Sequence, residues 1–135
     1  MNIKTLAAAL APAALLAACG TTKTTAPAAG AKPSTLTQAA DGTLIGPDGR
    51  TLYVFAKDVA GSGKSTCVDA CAANWPPLGV AATAVPLGDY TIITRADGSK
   101  QWAFKGMPLY YYVKDTKAGD KLGDGVGGIW KIARP

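Results

Sequence analysis

The sequence contains no histidine and no glutamate, so all nine acidic residues are aspartates. The missing histidine removes the commonest general base and metal ligand. With it go Ser-His-Asp and Cys-His nucleophile arrangements and haem attachment through C-x-x-C-H. Paired-carboxylate chemistry would need two aspartates, and spacing marks out none of the nine. Long apolar runs are missing too: Leu6–Ala18 is thirteen residues with Pro12 inside it, too short to span a bilayer. The net charge is +5, but Lys57, Lys64, Lys100, Lys105, Lys114, Lys117, Lys121 and Lys131 stand singly, with no run and no helical stripe. They read as solvated surface and edge-strand protection. No enzyme, no cofactor and no nucleic-acid partner is expected.

The segment "GSGKST", Gly61–Thr66, resembles the tail of a phosphate-binding loop. The first glycine of that signature would fall on Asp58, placing a carboxylate where a phosphate must sit. A following helix would be stopped within about three turns by Pro76 and Pro77. The segment is expected to be a polar loop with Lys64 incidental to it, and no nucleotide ligand is expected.

The N-terminus reads as an address. Residues 1–18 have a basic start at Lys4, an apolar stretch and the ending Leu16-Ala17-Ala18, followed by Cys19-Gly20. Small residues before a cysteine resemble a bacterial lipobox, in which Cys19 becomes a lipidated mature N-terminus and the protein's attachment to the membrane. Two or three acyl chains would make that attachment nearly permanent, at about 0.8 kcal/mol per buried methylene. Gly20 favours outer-membrane sorting in a host that has an outer membrane. Residues 19–37, rich in Thr, Ala, Pro and Lys without an aromatic, are expected to form a disordered tether. The remaining residues, 38–135, suit one small domain, and their Gly, Thr, Val, Ile, Tyr and Trp content points to a mainly β, antiparallel fold.

That domain is built twice. "TLYVFAKD" ending at Asp58 matches "PLYYYVKD" ending at Asp115. Each leads through a polar loop to a tryptophan, Trp75 or Trp130, with a repeat spacing of 57 residues. The units are placed at about 43–78 and 100–133. In the first copy Tyr53 and Phe55 alternate with Leu52, Val54 and Ala56, the period of a strand covered on both faces. Upstream turns at Pro47-Asp48-Gly49 and Asp97-Gly98 predict hairpins. Asp58 and Asp115, at the strand ends, are expected to lock turns by accepting backbone hydrogen bonds. The tyrosines and tryptophans are expected in the core, with Tyr111 and Trp102 as candidates for an exposed recognition patch.

Two Tyr-x-aromatic-x-x-Asp units behind a lipobox resemble the secreted-repeat lipoproteins. The matching positions are Tyr53, Phe55 and Asp58; Cys67, Cys71, Trp75, Pro76 and Pro77; and Tyr110, Tyr112, Asp115 and Trp130. The resemblance implies an envelope location and a duplicated β-rich domain, and it lends no catalytic residues. The expected role is a membrane-anchored, non-catalytic binding or structural module with an unidentified envelope partner.

Cys67 and Cys71 are the only thiols left once Cys19 is lipidated. Outside the cytoplasm such a pair oxidises, and the four-residue spacing asks for an irregular turn or a distorted helix end, with Ser65 or Thr66 as cap. The competing reading is a copper- or redox-handling site, in which both thiolates and Met107 bind a soft ion such as Cu(I).

Overall fold

The computed structural model describes residues 36–135. The expected signal at 1–18, Cys19 and the expected tether as far as residue 35 lie outside the described residues. Leu36 is buried in the core, and Thr37 opens the first strand.

The fold is mainly β. The strands are β1 (Thr37–Gln38), β2 (Leu44–Ile45), β3 (Tyr53–Phe55), β4 (Tyr90–Thr94), β5 (Lys100–Phe104), β6 (Met107–Pro108) and β7 (Trp130–Ile132). One short helix, α1 (Ala70–Asn74), and a 3-10 turn at Val126–Gly128 complete the regular elements. Three antiparallel sheets result, β1-β2, β3-β7 and β4-β5-β6. Single pairings of Tyr53 with Tyr110, Pro77 with Tyr110 and Gly79 with Gln101 tie β3 and the chain after α1 to the β4-β5-β6 side, and the Leu44 amide ties β2 to the Ala133 carbonyl beyond β7.

Both expected turns form. At the second, Asp97 Oδ1 accepts the Ser99 amide at 2.9 Å, and β4 pairs with β5 from Tyr90–Phe104 to Thr94–Lys100. At the first, Asp48 Oδ1 accepts the Arg50 amide at 3.1 Å, and Ile45 pairs with Thr51. Beyond Thr51, however, the strand changes partner. β3 pairs along its length with β7 of the second repeat, Tyr53 opposite Ile132 and Phe55 opposite Trp130.

The alternation in β3 works as the period predicts. Leu52 and Val54 pack into a cluster with Leu36, Leu44, Trp102, Leu109 and Tyr111, while Tyr53 and Phe55 pack into a second cluster around Trp75 and Trp130. The recognition-patch expectation is overturned. Trp102 is 2 % exposed and Tyr111 9 %, because the Leu52 face needs large side chains on its far side. The Arg50 guanidinium lies 4.1 Å over the Tyr111 ring, and burial raises that hydroxyl's pKa to about 12.

The helix cap differs as well. α1 starts after Asp69, which has a left-handed φ of 54° and makes no capping side-chain bond. Ser65 and Thr66 do not cap it, because each is held by the other residues of a buried polar network described below.

Candidate functional site

Six of the eight aromatic and acidic motif residues, Tyr53, Phe55, Trp75, Tyr110, Tyr112 and Trp130, form one cluster together with Cys67. A pseudo-twofold axis runs through it. Tyr53 and Tyr110 exchange backbone hydrogen bonds of 2.8 and 3.0 Å, and the Trp75 and Trp130 rings stack at 3.7 Å with 5° between their planes. Around this pair the contacts repeat. Trp75 stacks on Tyr112 at 4.2 Å and Trp130 on Phe55 at 4.4 Å, while Tyr53 meets Trp75 edge-on as Tyr110 meets Trp130. Each such pair adds about 0.5–1.5 kcal/mol beyond its burial.

The two remaining motif residues, the aspartates, are bonded across the axis. The Tyr53 hydroxyl donates to Asp115 Oδ2 at 2.5 Å, and the Tyr110 hydroxyl donates to Asp58 Oδ2 at 2.6 Å. Each tyrosine therefore finds its acceptor in the other repeat. The second oxygen of each carboxylate does the expected turn-locking: Asp58 Oδ1 accepts the Thr66 amide and hydroxyl at 2.7 and 2.6 Å, and Asp115 Oδ1 accepts the Leu122 amide at 2.9 Å. Burial first, then the bond to the facing carboxylate, pushes both tyrosine hydroxyls far above their ordinary value. They stay protonated donors, and both oxygens of each aspartate are engaged. The arrangement can clamp one repeat to the other.

On the Asp58 side the network extends further. The Tyr110 hydroxyl also lies 2.6 Å from Ser65 Oγ, which accepts from Arg95 Nη1 at 2.9 Å. Arg95, 6 % exposed, also donates to Gln101 Oε1 at 2.7 Å and the Cys67 carbonyl at 2.6 Å. Gln101 Nε2 donates to the Leu109 carbonyl at 2.7 Å. The buried cation is thus solvated by one hydroxyl and two carbonyl oxygens, with Asp58 reached by way of Ser65 and Tyr110. Sequence reading missed Arg95 and Gln101 and gave Ser65 only as a helix cap. The signal available for Arg95 was a long charged residue set directly before Ala96-Asp97-Gly98, where the matching Ala40-Asp41-Gly42 is preceded by Ala39.

Cys67 and Cys71 are joined by a disulfide with 5.1 Å between their Cα atoms, spanning the entry into α1. Cys67 is fully buried against the aromatic cluster, with Cys71 half-buried beside it. Met107 stands elsewhere, on β6 opposite Phe104. Among the described residues no group of three His, Cys, Asp or Glu side chains is placed to hold a metal.

The "GSGKST" loop is explained by the opposite hairpin. The Gly61 amide donates to the Gly106 carbonyl at 3.0 Å, and a Cβ on Gly106 would come within 2.5 Å of the Gly61 nitrogen. No side chain fits between loop and turn. Lys64 is exposed, its amide on Ser62 Oγ at 3.2 Å.

No described helix is long and apolar enough to cross a membrane. Comparison with curated proteins and with solved structures finds no match. A family described as a secreted repeat of unknown function matches residues 35–79 and 91–134. Each match begins upstream of the unit read from repeated sequence, at the strand that leads into the Asp41-Gly42 or the Asp97-Gly98 turn. With two copies matched over most of the described chain and their motif residues reciprocally bonded, the protein belongs to this secreted-repeat family.

Proposed function

We propose that the protein is a lipid-anchored module of the cell envelope that binds or braces a partner without catalysing a reaction. The observation behind the non-catalytic part is the engagement of Asp58 and Asp115, each with one oxygen bonded to the other repeat and the second locking a turn of its own. The chain carries neither histidine nor glutamate to replace them. The anchor rests on Leu16-Ala17-Ala18-Cys19 and agrees with a family of secreted repeats. Substituting Cys19→Ala should move the protein from the membrane to the soluble fraction, and native protein should show the mass of an acylated N-terminus. A Cys19→Ala variant that stays with salt-washed membranes removes the anchor from this reading.

Copper or redox handling is the weaker reading, since it needs the Cys67–Cys71 bond opened and places Met107 on a separate strand. Reduced protein is expected to show no tight, stoichiometric Cu(I) binding. Binding of that kind, lost when both cysteines become serine, would reverse the order of the two readings.

A further inference from the structure

The outer edge of β7 differs from the matching edge of the first repeat. One register relates the two: Ile132 lies opposite Tyr53 as Pro77 lies opposite Tyr110, and the Ala133 amide donates to the Leu52 carbonyl as the Leu78 amide donates to Leu109. In an antiparallel pair, alternate residues turn their backbone groups away from the partner strand. At Pro77 that outward side has no N–H to offer, so proline closes the edge of the first repeat. At Ile132 it has one, and the amide reaches only Asp124 Oδ1, at 3.4 Å, long for such a bond. The Ile132 carbonyl and the Arg134 amide, next along the edge, have no hydrogen-bond partner among the described residues. The Trp130 carbonyl, in contrast, is met by the Gly125 amide at 2.9 Å. An open groove of about 410 Å³ lies beside this edge, lined by Asp124, Gly125, Gly128, Lys131, Ile132 and Arg134.

We propose that the outer edge of β7 binds an extended, acidic segment of a partner polypeptide as an added strand. This rests on the binding-module reading and names the partner's chemistry. A strand fits because the edge offers backbone groups in ladder order: the Ile132 amide and carbonyl, then the Arg134 amide. An antiparallel residue opposite Ile132 gives its carbonyl to that amide and its own amide to that carbonyl. The residue two before it in the partner accepts from Arg134. The partner carbonyl thereby takes the place of Asp124 Oδ1, whose long bond is the weaker one. Gly125 and Gly128 bring no side chain to the groove that would hinder a second backbone. Acidity follows from the charges beside the edge. Lys131 and Arg134 form no ion pair among the described residues, Arg134 giving Nη1 only to the Asp41 carbonyl at 3.0 Å. Asp124 is the one acid lining the groove, so the balance there is positive.

The test titrates full-length protein with the end-blocked pentapeptide Thr-Asp-Val-Asp-Thr, following backbone amide resonances. Two further probes replace its aspartates by lysine or carry an N-methyl group on every residue at unchanged charge. The acidic probe should give saturable shifts and slower amide exchange at Ile132 and Arg134. The lysine probe should bind more weakly, and the N-methylated probe, unable to donate to the edge, should not bind. Asp124→Ala should tighten binding several-fold by freeing the Ile132 amide and removing a repelling charge, a direction that loss of mere structural support would not produce. Ile132→Pro gives this edge the proline of the first repeat and should abolish binding. If that variant fails to fold, Arg134→Ala should weaken the acidic probe and spare the lysine probe. Absence of saturable shifts, equal binding of either control probe, or weaker binding in Asp124→Ala would each overturn the proposal. None of these outcomes bears on the membrane fractionation of Cys19→Ala, so failure here is separable from failure of the anchored-module reading.

Discussion

The loop that follows Asp58 and the loop that follows Asp115 solve one packing problem with different chemistry. Each must turn, return an amide to its aspartate and deliver a tryptophan to the axis. The first uses Thr66, a disulfide and the five-residue helix α1. The second uses Gly123, whose amide donates to the Tyr53 hydroxyl at 3.2 Å, and then the Val126–Gly128 turn. Gly123 stands where the first loop has Cys67, and a Cβ there would come within 2.8 Å of the Trp75 ring. Duplication therefore fixed the reciprocal clamp and left the route between clamp and tryptophan free to diverge. A covalent brace serves one copy, and close glycine backbone serves the other.

Removing a clamp carboxylate should have the largest effect. Asp58→Ala strands three donors, from Tyr110 and twice from Thr66, whereas Asp115→Ala strands those of Tyr53 and Leu122. Losses on the order of 4 and 3 kcal/mol are expected in urea unfolding, with Asp58 the more costly. Equal losses below about 1 kcal/mol would show that the aromatic stack alone joins the repeats.

Opening the brace comes next. A loop this short is worth about 2 kcal/mol in the chain-entropy account, so Cys67→Ser/Cys71→Ser should fold with that deficit. Hydrogen exchange should quicken at Cys71, Ala73 and Trp75 and stay unchanged at Val126 and Ile129, which lie in the loop without a disulfide. Faster exchange in both loops would mean that the bond supports the axis rather than its own turn.

Alkaline titration probes both clamps together. The folded pKa values of Tyr53 and Tyr110 lie above the unfolded value of about 10, because the folded state disfavours the phenolate. Their contribution is complete below pH 10 and is lost as pH climbs toward the folded values, since the unfolded chain then binds fewer protons. Tyr53→Phe/Tyr110→Phe should cost about 1 kcal/mol per hydroxyl at neutral pH and flatten the decline above pH 10. A decline as steep as that of the normal protein would assign it to Tyr90 and Tyr111. The smallest effect belongs to Lys64→Ala, expected within about 0.5 kcal/mol. Nucleotide binding that disappears in this variant would instead restore the phosphate-loop reading.

Much of the frame was legible because period and spacing are local properties. The two faces of Tyr53 and Val54, the Asp97-Gly98 hairpin, the Cys67–Cys71 bond and the turn-locking oxygens of Asp58 and Asp115 all follow from residues near one another in the chain. The clamp was not legible. A 57-residue repeat announces two like units, but the offset is the same whether Tyr53 meets Asp58 or Asp115. Tertiary geometry decides that, and here it exchanges the partners. Trp102 and Tyr111 were misplaced for a related reason, since the Leu52 face is closed by side chains distant in sequence. The earlier starts of the family matches were legible after all, in Ala40-Asp41-Gly42 against Ala96-Asp97-Gly98.

Exchange of the tyrosine–aspartate partners sets a rule of arithmetic. In this fold one copy of the unit presents a buried donor and a buried acceptor that are each bonded to the other copy, so a solitary copy in the same conformation has two open valences. Two copies close the count, whether they lie on one chain or on two. A chain with an odd number of these units must leave one unsatisfied or find its complement on a neighbouring molecule, so the repeat is counted in pairs.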